Sequence, residues 1–194
     1  MQDITFNKSY WSGSECRCIG EAVKSGGISG DDMLTKRGHT FFEQQKGVVK
    51  VLLRTSSTDV LELAALLLDL EPGDEVIMSA HTFACTLNTS VLWGAKNIFA
   101  GSGALNLNLD VSALAALITP LTRAIGLLHY VGIACDMDPL LVLAAHHDLK
   151  VVEDTAQAID SYYFGVQQPR RAHSTYSTPA RPPYSSRILL SRAA

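Results

Sequence analysis

The chain has 194 residues, 47% of them hydrophobic, and a formal net charge of −3. That length suits one ordinary domain with a real core, and the balance of charge leaves no basic footprint for nucleic acid. The scattered cysteines Cys16, Cys18, Cys85 and Cys135 match no zinc spacing and read as free thiols of a reducing cytoplasm. The first residues lack the basic and apolar segments of a signal peptide. The longest apolar stretch, Leu61 to Leu70, contains Glu62 and Asp69 and is too short to span a bilayer.

In chain order, residues 1–30 are mixed and rich in Gly and Ser, with a short helix around Glu15 to Lys24 and turns at Gly26-Gly27 and Gly30-Asp31-Asp32. Met33, Leu34, Phe41 and Phe42 among charges predict an amphipathic helix over 32–46. A regular rhythm follows. Strands are expected at 48–53, 75–78, 97–100, 123–128 and 150–153. Helices are expected at 60–70, 83–93, 111–118 (with Asp110 as N-cap) and 137–147. Strands alternating with helices of about ten residues imply βαβ units and an α/β fold, three layers around a mostly parallel sheet. After Gly165 the character changes: residues 166–194 contain no Asp, Glu or Lys but four prolines and five arginines. They read as an aberrant, disordered tail.

The chemistry clusters at expected carboxyl ends of strands, where open α/β sheets bind ligands. The strand into Val151-Val152-Glu153-Asp154 ends in a carboxylate, with Gln157 three residues on. Asp154 could face a cation such as a protonated pyridine nitrogen. It could equally cap a helix beginning near Ala156. The turn Thr55-Ser56-Ser57-Thr58 before a long helix is either a phosphate cradle or an ordinary N-cap, and Asp59 beside it suits the helix dipole without a ligand. Phe83, in His81-Thr82-Phe83, could stack on a flat ring or pack as core. His129-Tyr130 lies in the same layer of strand ends. His146-His147 sits near a helix end, where adjacent residues diverge too far to share a metal.

A series of segments resembles one family. They are Lys50 to Leu53, Ser57-Thr58, Leu61 to Asp69, Pro72 to Met78, Thr82-Phe83, Gly94-Ala95-Lys96, His129-Tyr130 and Val152 to Gln157, with Phe6-Asn7-Lys8 and Ser29-Gly30-Asp31 before them. Together they are similar to the sugar-nucleotide aminotransferases, enzymes of the aspartate-aminotransferase fold (fold type I) that use pyridoxal 5'-phosphate (PLP). The likeness covers residues 4–165 and is strongest to the branch that makes dTDP-4-amino-4,6-dideoxygalactose.

The resemblance implies that residues 1–165 are the N-terminal part of the PLP-binding large domain and that the C-terminal small domain is absent. It implies that Ser57 and Thr58 hold the cofactor phosphate, that Phe83 stacks on the pyridine, that Asp154 pairs with the ring nitrogen and that Gln157 lies near the ring hydroxyl. It implies a homodimer if intact, no membrane insertion, and transamination of a dTDP-4-keto-6-deoxyglucose type of sugar nucleotide with glutamate. The setting would be surface polysaccharide, lipopolysaccharide or enterobacterial common antigen synthesis. The family's Ser-Phe-His-x-x-Lys motif has no counterpart here. The Schiff-base lysine is therefore absent, the last lysine is Lys150, and no catalytic residue is assigned. His173-Ser-Thr-Tyr-Ser177 falls near where that motif is due, as a shifted reading frame would produce. Two other readings accompany this one. The first is a deoxysugar dehydratase-like lyase with His173 in place of the lysine. The second is a non-catalytic remnant that binds a full-length relative through an open sheet edge.

Overall fold

The computed structural model describes residues 11–27, 30–46, 50–54, 57–158, 161–163, 166–167, 174–177 and 186–190. Two helices lead, α1 (Glu15–Ser25) and α2 (Met33–Lys46), and then strands and helices alternate. The strands are β1 (Lys50–Arg54), β2 (Glu75–Ser79), β3 (Lys96–Ala100), β4 (Thr122–Leu128) and β5 (Lys150–Asp154). The helices between them are α3 (Ser57–Leu67), α4 (Ala84–Leu92) and α5 (Met137–His146). Residues Val111–Leu117 form a 3-10 helix rather than the expected α-helix. Asp110 caps it as expected, its carboxylate accepting from the Ser112 amide at 3.0 Å. Seven residues with five alanines or leucines but no anchoring polar face favour the tighter short form.

β5 continues into short pieces β6 (Tyr162–Tyr163), β7 (Val166–Gln167), β8 (Ser174–Ser177) and β9 (Ser186–Leu190). The main sheet has seven strands in the order β1-β9-β8-β5-β4-β2-β3. β3, β2, β4, β5 and β8 run parallel, while β9 is antiparallel to both β8 and β1. Two short segments of the region beyond residue 165 thus lie in the main sheet, and most of the rest of it lies outside the described residues. Ser-Thr-Tyr-Ser and Arg-Ile-Leu-Leu carry β-compatible side chains despite the arginine- and proline-rich composition around them. The unpaired edge of β5 supplies the backbone partners.

Side-chain alternation assigns the two faces of the sheet. Ile77, Ile125, Leu127 and Val151 meet Leu114, Met137, Leu140 and Ala144 on the face covered by α5 and the 3-10 helix. Val76, Met78 and Ala124 meet Ala65, Leu70 and Ala95 on the opposite face, beneath α3 and α4. This is the three-layer α/β/α arrangement the pattern implied. Both faces of the central strands are covered, which is why they read as near-continuous apolar runs.

The turn between α4 and β3 depends on Gly94. Its φ is +77°, and a Cβ there would lie 3.1 Å from Pro72 Cα, Cβ and Cγ. The carbonyl of Gly94 also accepts from the Gly73 amide at 3.1 Å. Gly94→Ala therefore adds left-handed strain and a clash, and is expected to lower stability by about 1–2 kcal/mol in denaturant melts.

Candidate active site

The carboxyl end of β5 is where the site is built. Asp154 is 4% exposed, and its carbonyl accepts from the His129 amide at 3.1 Å, tying the end of β5 to the end of β4. Its carboxyl accepts from the Thr86 hydroxyl at 3.3 Å and from the Ala156 amide at 3.0 Å. The helix-cap expectation is half met: Asp154 closes an Asx turn on Ala156, but residues 156–158 form a turn and no helix follows among the described residues. Burial pushes the Asp154 carboxyl up to about 6, with the Ala156 and Thr86 donors pulling the other way. Among the described residues no lysine or arginine forms an ion pair with it. A buried carboxyl with neutral donors and no cation is arranged to receive one.

The other residues surround this acid. Ser57 is the first residue of α3 and Thr58 the second, so the expected polar turn ends as the first turn of a helix; residues 55–56 lie outside the described residues. The Thr58 hydroxyl sits beside the Cys85 thiol, which burial and then the charge of Asp154 push up. Cys85 and Ala156 both pack against Val60 and Leu61 of α3. The starts of α3 and α4 and the end of β5 therefore converge, linked through Thr58, Cys85, Thr86 and Asp154.

Phe83 precedes α4 in extended backbone and is 70% exposed. Core packing is thus excluded as its reason for being there, and its ring faces are available. Gln157 accepts from the Val131 amide at 2.7 Å. His81 meets Tyr130 edge to face, with ring centroids 4.5 Å apart, on the same rim. His146 and His147 lie edge to face at the end of α5, away from these residues in the chain order of the strand ends. Among the described residues no group of three His, Cys, Asp or Glu could hold a metal.

The lysines of the sheet occupy the wrong end. Lys50, Lys96 and Lys150 are each the first residue of a strand. Lys150 is four residues from Asp154 along β5, about 13 Å away at strand rise. All three therefore start at the end of the sheet opposite Asp154. His173 lies outside the described residues.

Sequence reasoning missed Thr86, Cys85 and Glu153. The signal for Thr86 was its position three residues after Phe83, one helical turn in, on the face that looks at the sheet.

Comparison with known proteins gives this geometry its context. Residues 21–177 match the model of the DegT/DnrJ/EryC1/StrS aminotransferase family. The chain belongs to this family. It is 38% identical over 124 residues to GDP-perosamine synthase of Caulobacter vibrioides, covering 64% of this chain and 33% of that protein. It is 37% identical over 151 residues to the spore coat polysaccharide biosynthesis protein SpsC of Bacillus subtilis, covering 77% of this chain and 38% of that protein. A putative sugar aminotransferase from Streptococcus pneumoniae, in its PMP form, superposes with a TM-score of 0.91 at 23% identity, over 98% of this chain and 53% of its own. The chain thus spans little more than a third of the curated relatives and about half of the solved one. The family match extends past residue 165, through β8. The fold is that of PLP aminotransferases, and the family is one of sugar aminotransferases. No helix among the described residues is long and apolar enough to cross a membrane.

Proposed function

We propose that this chain is the cofactor-holding part of a PLP-dependent transaminase of 4-keto-6-deoxy sugar nucleotides. Its substrates are of the dTDP-4-keto-6-deoxyglucose type and its amino donor is glutamate. Its setting is the cytoplasmic synthesis of a surface polysaccharide such as enterobacterial common antigen, and the intact enzyme is a homodimer. The observation that carries the cofactor assignment is Asp154: buried, hydrogen-bonded among the described residues only by neutral donors, and at the carboxyl end of a central parallel strand.

The residues present fit PLP. Ionised Asp154 would hold a proton on the ring nitrogen, and its burial makes the pairing stronger than it would be in water. The exposed ring of Phe83 would cover one face of the pyridine. Ser57 and Thr58 stand in the first turn of α3, the end at which the helix dipole favours a phosphate. Gln157, fixed through the Val131 amide, would approach the ring hydroxyl with its own amide group. The bound group supplies an electron sink. The described residues bind and orient it; the amine that moves protons has to come from outside them, since every sheet lysine is at the far end of its strand.

The test uses pyridoxamine 5'-phosphate (PMP), which carries no aldehyde and cannot react with surface lysines. The full chain is expected to bind it saturably, with one site per chain, as read by ligand fluorescence. Binding that never saturates, or that survives Asp154→Asn unchanged, would remove the assignment. For the substrate, a dTDP-linked 4-keto-6-deoxy sugar should raise the melting temperature of the PMP-loaded chain more than its GDP-linked counterpart. The reverse order would transfer the nucleotide preference to GDP.

A further inference from the structure

The residue behind Asp154 is as fully buried as any in the molecule. His129 follows β4 directly and is 0% exposed. Its Nδ1 accepts from the Cys135 amide at 3.0 Å, so Nδ1 carries no proton. The ring proton is therefore on Nε2, which donates to Glu153 Oε2 at 3.0 Å. Glu153 is also 0% exposed, and its second oxygen, Oε1, has no hydrogen-bond partner among the described residues. The Cys135 thiol donates to the Leu128 carbonyl at 3.3 Å, and burial pushes it up to about 12, so it remains a neutral donor.

A buried carboxyl with one orphaned oxygen is costly, and a fold keeps it only where its remaining bond has a purpose. Alternation along β5 turns Glu153 toward the α5 face and Asp154 toward the α3 and α4 face. His129 holds both residues. Its side chain binds the carboxyl of Glu153, and its backbone amide binds the carbonyl of Asp154. One residue thus fixes the end of β5 from two directions, through its ring at Glu153 and through its backbone amide at Asp154.

We propose that His129, locked as the neutral Nε2–H imidazole between the Cys135 amide and Glu153, is the positioning residue that aims Asp154 at the ring nitrogen of the cofactor. The proposal rests on the PLP reading above. Among the described residues the Asp154 carboxyl has two hydrogen-bond partners, and the chain after it turns sharply at Ala156. The strand end is held by its backbone pairing with β4 and β8 and by the tie from His129. The side-chain part of that tie runs through the Glu153 bond, because the Cys135 bond only selects the tautomer.

Two amides separate these roles. An asparagine at 129 places its oxygen roughly where Nδ1 lies, keeping the Cys135 bond and losing Glu153. A glutamine places its NH2 roughly where Nε2 lies, keeping Glu153 and losing Cys135. With the full chain, His129→Gln should hold PMP within about threefold of the parent, and His129→Asn should weaken it about tenfold or more, as a small misplacement of a binding group does. Glu153→Gln keeps an acceptor for Nε2–H and should stay within about threefold. In the unliganded chain, the carboxyl carbon of Asp154 is followed by NMR against pH. Its midpoint should stay near the parent's in His129→Gln and fall toward the ordinary carboxylate range in His129→Asn, as water reaches a loosened strand end. If His129→Asn does not fold, Glu153→Met, which removes the acceptor and keeps the stem, is read in its place. Equal midpoints and equal affinities across the set would overturn the proposal, as would a tenfold loss in Glu153→Gln. A parent chain that fails to bind PMP counts against the PLP reading alone; the Asp154 midpoints then decide this one.

Discussion

Asp154→Asn is expected to strengthen the unliganded fold at neutral pH and to destroy its hold on the cofactor. Burial raises the Asp154 carboxyl from 3.8 to about 6. The folded chain therefore binds this proton more tightly than the unfolded chain does. Stability from this group is complete below pH 4, is lost as pH rises to about 6, and stays lost above that. Roughly two pH units correspond to about 3 kcal/mol. The asparagine has no charge to bury and keeps an oxygen for the Ala156 amide. In denaturant melts its advantage over the parent should be about 3 kcal/mol larger at pH 7.5 than at pH 4. PMP binding should move the other way, by about 100-fold, because a pyridinium left facing a neutral amide loses its buried partner. A stability difference that did not change with pH would mean that Asp154 is hydrated. It would also remove the reason for calling it poised.

The opposite signs express one design. A carboxyl kept in a dry site without a cation weakens the empty fold and strengthens the loaded one, a common trade between stability and function. The wider molecule shows the same logic at Glu153, whose orphaned oxygen is retained beside His129. These two adjacent acids are the least comfortable residues of β5, and they face opposite layers.

Much of this architecture was legible in the letters because it is local. The apolar runs at Glu75–Ser79 and Thr122–Leu128 are buried on both faces, and their composition alone announces a central parallel strand. The helices between them carry their own periodicity. The acid at the end of β5 was legible for the same reason: a polar residue terminating an apolar run. What the letters did not contain was pairing at a distance. Thr86 and Asp154 are separated by 68 positions, and no periodicity connects them. The tie between His129 and Glu153 depends on β4 and β5 being neighbours in register, Leu127 opposite Glu153 and Leu128 opposite Asp154. The strand at Ser174–Ser177 was hidden for a different reason. Composition averaged over residues 166–194 hid a four-residue segment whose partner, the edge of β5, is set by topology.

Leu140→Ala tests whether the scaffold and the site are separable. Leu140 is 0% exposed on α5, in the cluster with Ile77, Leu114, Ile125 and Met137. Its truncation leaves a cavity in a well-packed layer and should cost about 3 kcal/mol, read as a lower denaturant midpoint with an unchanged slope. Asp154, Thr58, Phe83 and Thr86 belong to the strand ends and the helix starts beyond that layer, and Leu140 belongs to the cluster on the other face. At a temperature where the variant is folded, PMP affinity should remain within about twofold of the parent. The comparison with Asp154→Asn is then a double dissociation, one variant losing stability and keeping the ligand, the other doing the reverse. If Leu140→Ala instead weakened PMP as much as His129→Asn does, the cavity would be reaching the site. The route available is Glu153, the one buried carboxyl of β5 that faces α5, and the tie between the two faces would then be a path for strain as well as an anchor.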